Sequence, residues 1–256
     1  YFDVPGIHLC EPSPQRTPVL FQAGASTQGK QFAAKHAECT FLFAPVKEAV
    51  KKYVDDLRGY AKEQGRDPQG IKVFAMFTAI VGKTEEEAWA KYEDYSQYIS
   101  YEGALALLSG WTGVDFSKYN PDDEIKYIET NAIKSMLEIL TKFSPNKKWT
   151  VRELANFVGI GGLGPVAIGT PEQIVDTFEE WIEDTDIDGI NLAYAISPGS
   201  FEEFVEFVVP EMQRRGLLKT EYEEGTLREK LFGKGAKLDE NHVASHYRNL
   251  KELVEI

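Results

Sequence analysis

The chain has 256 residues, 43% of them hydrophobic, 27% charged and 12% aromatic, which excludes a disordered, collagenous or coiled-coil protein. Asp and Glu outnumber Lys and Arg by 41 to 28, a net charge of −13, and the cations are interleaved with acids, so nucleic acid and anionic membranes are excluded as partners. Two cysteines, Cys10 and Cys39, are too few for a disulfide framework or a closed zinc site, and no metal is expected. They fit a reducing, cytoplasmic setting, and no apolar run approaches the roughly 20 residues of a membrane span. No basic or apolar leader pattern opens the chain, and Tyr1-Phe2-Asp3-Val4-Pro5 reads like the middle of a longer sequence.

In chain order, Pro18 to Ala23 is a short apolar run that suits a buried parallel strand. Gly24-Ala25-Ser26-Thr27 turns into a helix over Gly29 to Ala37, and Cys39 to Phe43 is a second strand. A helix over 46–64 follows, with Val50, Tyr53, Val54 and Leu57 at helical spacing and Gly65 as its stop. Ile71 to Val81 is a long strand, after which Thr84 to Glu87 forms a capping box. The interval 100–168 is too long for an ordinary connection and is expected to be a helical insert, with a helix over Glu124 to Lys142 and another over Thr150 to Phe157. Thr170-Pro171-Glu172-Gln173 opens a further helix, with Ile174, Val175, Phe178, Trp181 and Ile182 along one face. Asp188 to Tyr194 is a strand, Phe201 to Arg215 a helix stopped by Gly216, and 217–256 a charged tail that wraps the surface or frays. Strands alternating with helices imply an α/β fold with a parallel sheet. Four strands make half of a (β/α)8 barrel, with two open edges and an apolar inner face.

The sharpest local feature is Gln22-Ala23-Gly24-Ala25-Ser26-Thr27-Gln28-Gly29, a strand end, a small-residue turn and a helix start. Such a turn lets backbone amides approach an anion at the positive end of a helix, with Ser26 as a hydroxyl donor; the same residues equally suit a plain βα turn with a Ser or Thr cap. Gly159 to Gly164 contains Gly-Ile-Gly-Gly-Leu-Gly but follows a helix, so it reads as a hinge of the insert and not as a dinucleotide fingerprint. His242 and His246 are four apart yet lack a third ligand, and His8 and His36 are isolated, with a structural role favoured for His36. Trp111, Phe116, Tyr119, Trp149 and Tyr194 suit either a planar-ligand pocket or a core, the core being the default. No catalytic residue is named: neither a nucleophile elbow nor a Cys–His pair is present.

The block Pro12-Ser13-Pro14-Gln15-Arg16-Thr17-Pro18-Val19-Leu20-Phe21-Gln22-Ala23-Gly24-Ala25-Ser26 closely resembles one family. Ala33-Ala34-x-x-Ala37-Glu38, Gly169 to Gln173, Asp188 to Leu192 and Phe204 to Gly216 match it too. It is the nitrilotriacetate / dibenzothiophene-sulfone / pristinamycin-type branch of the luciferase-like FMN-dependent monooxygenase superfamily. The resemblance implies a (β/α)8 barrel of which residues 1–216 supply the C-terminal four βα units, with Pro18 to Ala23 as the fifth strand. It implies FMN as the cofactor, delivered as FMNH2 by a separate NAD(P)H:flavin reductase, and O2 as co-substrate for oxygenation of a small organic molecule. Ser26 maps to the contact with the FMN phosphate, with Gly24 and Ala25 giving close backbone approach. A homo-oligomer is expected. The alternative is a non-catalytic half barrel serving as an assembly domain that pairs its open edges with a second copy.

Overall fold

The computed structural model of the protein describes residues 9–125 and 149–248, together with Gly6, and their side chains as far as Ser245. Its contacts divide into two units, Phe21–Thr220 and the two chain ends, Tyr1–Leu20 with Glu221–Ile256.

The larger unit is built on a parallel sheet. In order along the chain come β1 (Phe21–Ala23), α1 (Thr27–His36), β2 (Cys39–Leu42), α2 (Lys47–Glu63), β3 (Lys72–Val81), α3 (Glu85–Ser96) and α4 (Tyr101–Thr112). There follow α5 (Val151–Gly161), β4 (Val166–Gly169), α6 (Pro171–Thr185) and β5 (Gly189–Ala193). The last helical run is α7 (Gly199–Glu203), a π-helical turn (Phe204–Val208) and α8 (Val209–Arg214). The ten-residue β3 carries the sheet: Lys72 to Ala75 pair with β2, Phe74 to Thr78 with β5, and Thr78 to Val81 with β4.

Alternation along β3 decides which face is core. Val73, Ala75, Phe77, Ala79 and Val81 meet Val50, Val54, Leu57 and Ala61 of α2 and Ile174, Val175, Phe178 and Trp181 of α6. Phe77 is fully buried and packs edge-on against Phe178 at 5.3 Å and Trp181 at 4.9 Å between ring centroids. Burying each of these large side chains contributes about 1.5–3 kcal/mol.

The helix starts are set by their caps. Thr170 Oγ1 accepts the Gln173 amide while Gln173 Oε1 accepts the Thr170 amide, and Thr84 accepts from Glu87 in the same way. At the N-terminal ends of β3 and β5, Asp188 accepts the Val73 amide at 2.9 Å and the Lys72 ammonium at 2.7 Å. Arg58 of α2 joins the same end, donating to the carbonyls of Pro68 and Asp186. Pro210 explains the π turn: it has no amide for the carbonyl four residues back, so the ladder before it widens.

Two expectations change. The described residues hold five parallel strands where the sequence supports four, because β4 begins inside the interval 100–168. Four residues directly after a glycine run are too few to show a period. The helix expected over Glu124 to Lys142 falls largely outside the described residues. In its neighbourhood α4 and α5 build a second small core from Leu108, Phe116, Trp149, Leu154 and Val158. The glycines of 159–164 are packed: a Cβ on Gly161 would meet Val166 at 2.5 Å, and one on Gly164 the Met76 carbonyl oxygen at 2.8 Å. Close approach to β3 and β4, more than hinge freedom, is what these positions require.

In the smaller unit the tail forms α9 (Leu227–Phe232), opened by a capping box between Thr226 and Glu229. Arg228 is 2% exposed and donates to the carbonyls of Thr17, Pro18 and Ala236, tying the segment before β1 to the tail. Those carbonyls are occupied this way, and the first strand begins at Phe21, three residues later than the sequence suggests.

Candidate functional site

In parallel α/β folds, function gathers at the C-terminal ends of the strands. Here that end carries the β1–α1 turn, the residues after β2, the turn after β3 and the segment after β5.

The β1–α1 turn is tight. A Cβ on Gly24 would stand 2.9 Å from Gln22 Nε2, and one on Gly29 would stand 3.1 Å from both the Gly24 carbonyl oxygen and Ser26 Oγ. The neighbour at Gly29 is backbone, which favours a small residue there, whereas the Gln22 amide beside Gly24 is the end of a flexible side chain and can swing aside. Ser26 is extended (φ −67°, ψ 159°) and caps α1, its Oγ accepting the Gly29 amide at 3.0 Å while its carbonyl accepts the Lys30 amide. The cap uses an oxygen lone pair and leaves the hydroxyl proton to donate outward. The first-turn amides of Thr27 and Gln28 have no intrahelical acceptor, and Ser26, Thr27 and Gln28 are all exposed. No acid lies in the first turn of α1, and Lys35 and His36 lie in its last, the polarity that favours an anion at its start. Gly24, Ala25 and Ser26 thus stand together as the sequence places them, with the turn serving as a cap and remaining open to an anion.

Lys30, one turn further, points elsewhere. It is buried in an ion pair with Asp56 of α2, and its ammonium lies 5.9 Å from the Tyr53 ring centroid. Burial pushes the Asp56 carboxyl up, but the hydrogen bonds from Lys30 and Lys52 outweigh it and hold it below the usual range. His36 stacks near Phe32 at 4.6 Å, and burial followed by the charges of Lys35 and Arg66 lowers its pKa.

After β3, a Cβ on Gly82 would meet the Ala88 amide nitrogen at 2.4 Å, which keeps that turn against α3. Lys91 of α3 reaches back to the Val81 carbonyl at 2.7 Å and to Glu203 of α7 at 2.7 Å. Burial works to lower its pKa, and the bonds to Glu203 and Glu87 prevail and raise it. After β5, Ser200 Oγ accepts the amides of Ala195 and Ile196, fixing the loop that presents Tyr194 beside Phe201 at 5.3 Å. Phe43, Tyr194, Ile196 and Phe201 are all exposed at this end. The Tyr194–Ser200 loop was not singled out from sequence, and its only signal is Ser-Pro-Gly after a strand.

The other sequence candidates separate. Phe116 and Tyr119 pack together, Trp149 packs on Phe157, and Trp111 borders the same second core, whereas Tyr194 lies on β5's far end; the five aromatics do not form one pocket. His242 is buried, where the sequence suggests a solvated tail, and its Nδ1 accepts the Ala244 amide. His8 and the side chain of His246 lie outside the described residues, among which no cluster of metal-ligating side chains occurs. Cys10 is exposed and Cys39 buried, and no disulfide joins them. No helix among the described residues is long and apolar enough to cross a membrane.

Comparison with known proteins identifies the family of this fold. The family described as luciferase-like monooxygenase matches residues 1–188. The chain is 44% identical to the dimethyl-sulfide monooxygenase of Hyphomicrobium sulfonivorans, over 97% of this chain and 52% of that protein. It is 46% identical to the long-chain alkane monooxygenase of Geobacillus thermodenitrificans, over 99% of this chain and 54% of the relative. Nitrilotriacetate, pristinamycin IIA and dibenzothiophene-sulfone enzymes are also relatives, at 36%, 36% and 33% identity. The crystal structure of DmoA from Hyphomicrobium sulfonivorans superposes with a TM-score of 0.85, covering 97% of this chain and 53% of that one. A riboflavin lyase solved with modified FMN, 35% identical, superposes at 0.80 over 93% of this chain and 52% of its own. The chain spans about half the length of the relatives it matches. It belongs to the luciferase-like monooxygenase family.

Proposed function

We propose that this chain carries the phosphate cradle of an FMN-dependent monooxygenase, with Gly24, Ala25 and Ser26 holding the cofactor's phosphate. The observation that carries this reading is the α1 start: an exposed cap hydroxyl and two first-turn amides beyond the helix's own hydrogen bonds, on a turn of small residues. The residues fit a phosphate monoester, which needs several donors converging at a positive helix end. In this reading the flavin arrives reduced from an NAD(P)H:flavin reductase and, when bound, supplies the electrons that split O2 between substrate and water. The chain's own work is to hold the phosphate, orient the bound ring toward the mouth and keep water away from it.

The mouth favours an apolar substrate. Phe43, Tyr194, Ile196 and Phe201 face outward there, while Lys91 is engaged by Glu203, Glu87 and the Val81 carbonyl and Lys83 lies 5.9 Å from the Phe207 ring centroid. A polycarboxylate would need uncommitted cations at this end; an alkane or dialkyl sulfide needs none. The relatives named for dimethyl sulfide and long-chain alkanes share this preference in their names.

The test compares FMN with riboflavin, which lacks only the phosphate, by quenching of flavin fluorescence on the wild-type chain and on Ser26→Asp. The expected result is FMN binding at least several-fold tighter than riboflavin, with the difference abolished in Ser26→Asp and riboflavin affinity unchanged. Equal affinity of the wild type for both flavins, or none for either, would overturn the assignment of the cradle to this chain.

A further inference from the structure

Behind the β1–α1 turn lies a polar cluster that the helix cap does not use. Alternation turns Phe21 and Ala23 of β1 to one face of the sheet and Gln22 to the other, where register sets it opposite Thr40 of β2. Leu42, on the same face of β2 as Thr40, joins the core formed with α1 and α2, and Tyr53 of α2 belongs to that core. Thr40 is 0% exposed and Tyr53 5%. Gln22 Oε1, Thr40 Oγ1 and Tyr53 Oη are all buried, and none has a hydrogen bond of good geometry among the described residues. Buried polar atoms are almost always partnered, so three orphans in one place call for a reason. Burial raises the pKa of the Tyr53 hydroxyl against the pull of the neighbouring Thr40 hydroxyl, so it stays protonated and able to donate.

The other end of the same amide reaches the turn. Gln22 Nε2 donates to the Ala23 carbonyl at 3.0 Å and stands 2.9 Å from where a Cβ on Gly24 would lie. The Ala23–Gly24 peptide is planar, so holding its carbonyl fixes the opposite direction for the Gly24 amide. Only one orientation of the glutamine serves both ends. Its nitrogen must face the Ala23 carbonyl, and its oxygen is then left to accept from hydroxyls. Two hydroxyls and one carbonyl oxygen are a set that a single bridging water completes.

We propose that Gln22 is a positioning residue of the phosphate cradle, its amide oriented by the Thr40 and Tyr53 hydroxyls across one bridging water. The inference rests on the cradle reading above and deepens it. Tyr53 is in turn steadied from α1, whose Lys30 ammonium lies 5.9 Å from its ring centroid. The turn that faces the phosphate is thus braced from behind by a side chain of the next helix. A Gly24 amide aimed before the phosphate arrives lowers the ordering cost of binding.

The experiment measures FMN and riboflavin affinity by fluorescence quenching on the wild type, Gln22→Met, Tyr53→Phe and the double variant. Met keeps the volume of the glutamine and removes both polar atoms, whereas Phe removes a hydroxyl alone. Each single variant should reduce the preference for FMN over riboflavin at least threefold, with riboflavin affinity unchanged. The double variant should lose no more than the larger single loss, because the two residues act through one another. Tyr60→Phe, which removes a hydroxyl from a half-buried position elsewhere on α2, should leave the preference intact. Losses that multiply in the double variant would show two independent effects and overturn the proposal. Full preference in Tyr53→Phe would overturn it as well, and would leave the cradle standing. A wild type that binds both flavins equally would overturn the cradle and this role of Gln22 with it, so the wild-type measurement separates the two failures.

Discussion

Gly189 stands directly across the sheet from Phe74, so close that a Cβ on it would come within 2.9 Å of the phenylalanine ring. The ring lies over the glycine because nothing projects there. Gly189→Ala should destabilise the larger unit by about 1–3 kcal/mol, since the ring has neighbours Phe21 and Phe41 that limit its retreat. Urea unfolding measures the loss, and pairing the change with Phe74→Leu should restore most of it.

Gly59 makes the opposite case. It lies inside α2, with nothing within 4 Å of an added Cβ. Gly59→Ala should stabilise by about 0.5–1 kcal/mol through the lower entropy of the unfolded chain. A rise in the urea midpoint at constant slope would show it; a fall would mean that the α2 surface is covered.

Ser26 separates stability from binding. Ser26→Ala removes the cap on Gly29 and should cost about 1 kcal/mol. Ser26→Asp keeps a capping oxygen, so its thermal midpoint should stay near the wild-type value. Its added charge still opposes phosphate.

Acid stability should report on Glu211. Hydrogen bonds from Arg214 and then Arg215 hold this carboxyl at about 2, against an ordinary value near 4.5, and Arg215 also reaches Asp176 and Glu179 of α6. The folded-state pKa is the lower one, so the contribution is complete above the ordinary value and is lost as pH falls toward 2. Urea unfolding of wild type and Glu211→Gln should differ by a constant amount at neutral pH and converge between pH 4.5 and 2. A difference independent of pH over that window would show that packing, not charge, is lost.

Features with local chemistry were legible in the sequence. Thr170 to Gln173 carries both halves of a capping box and a proline at the first helical position, and Gly216, with φ +75°, ends the last helical run where the composition suggests. The β1–α1 turn was visible as two alternatives, and the geometry makes them compatible, because Ser26 caps with its oxygen and keeps its proton. β4 was too short to carry a period. α4 was hidden because Leu105, Leu107, Leu108 and Trp111 leave no clean polar face and Gly103 and Gly110 weaken its propensity. The Tyr194–Ser200 loop depends on hydrogen bonds from Ala195 and Ile196 to a serine on the next helix, a tertiary arrangement without a short-range signature.

The ten residues of β3 meet three partner strands, and the partners arrive from very different distances along the chain. β2 closes onto it through the short α2 connection, whereas β5 must return across more than a hundred residues. Loop closure over that span is the costlier pairing, though by only about 1 kcal/mol, because the cost grows with the logarithm of length. Tyr194 at the mouth is the residue that follows β5. The turn after β1 and the loop after β5 are thus held in one frame through β3, the strand to which both β2 and β5 pair.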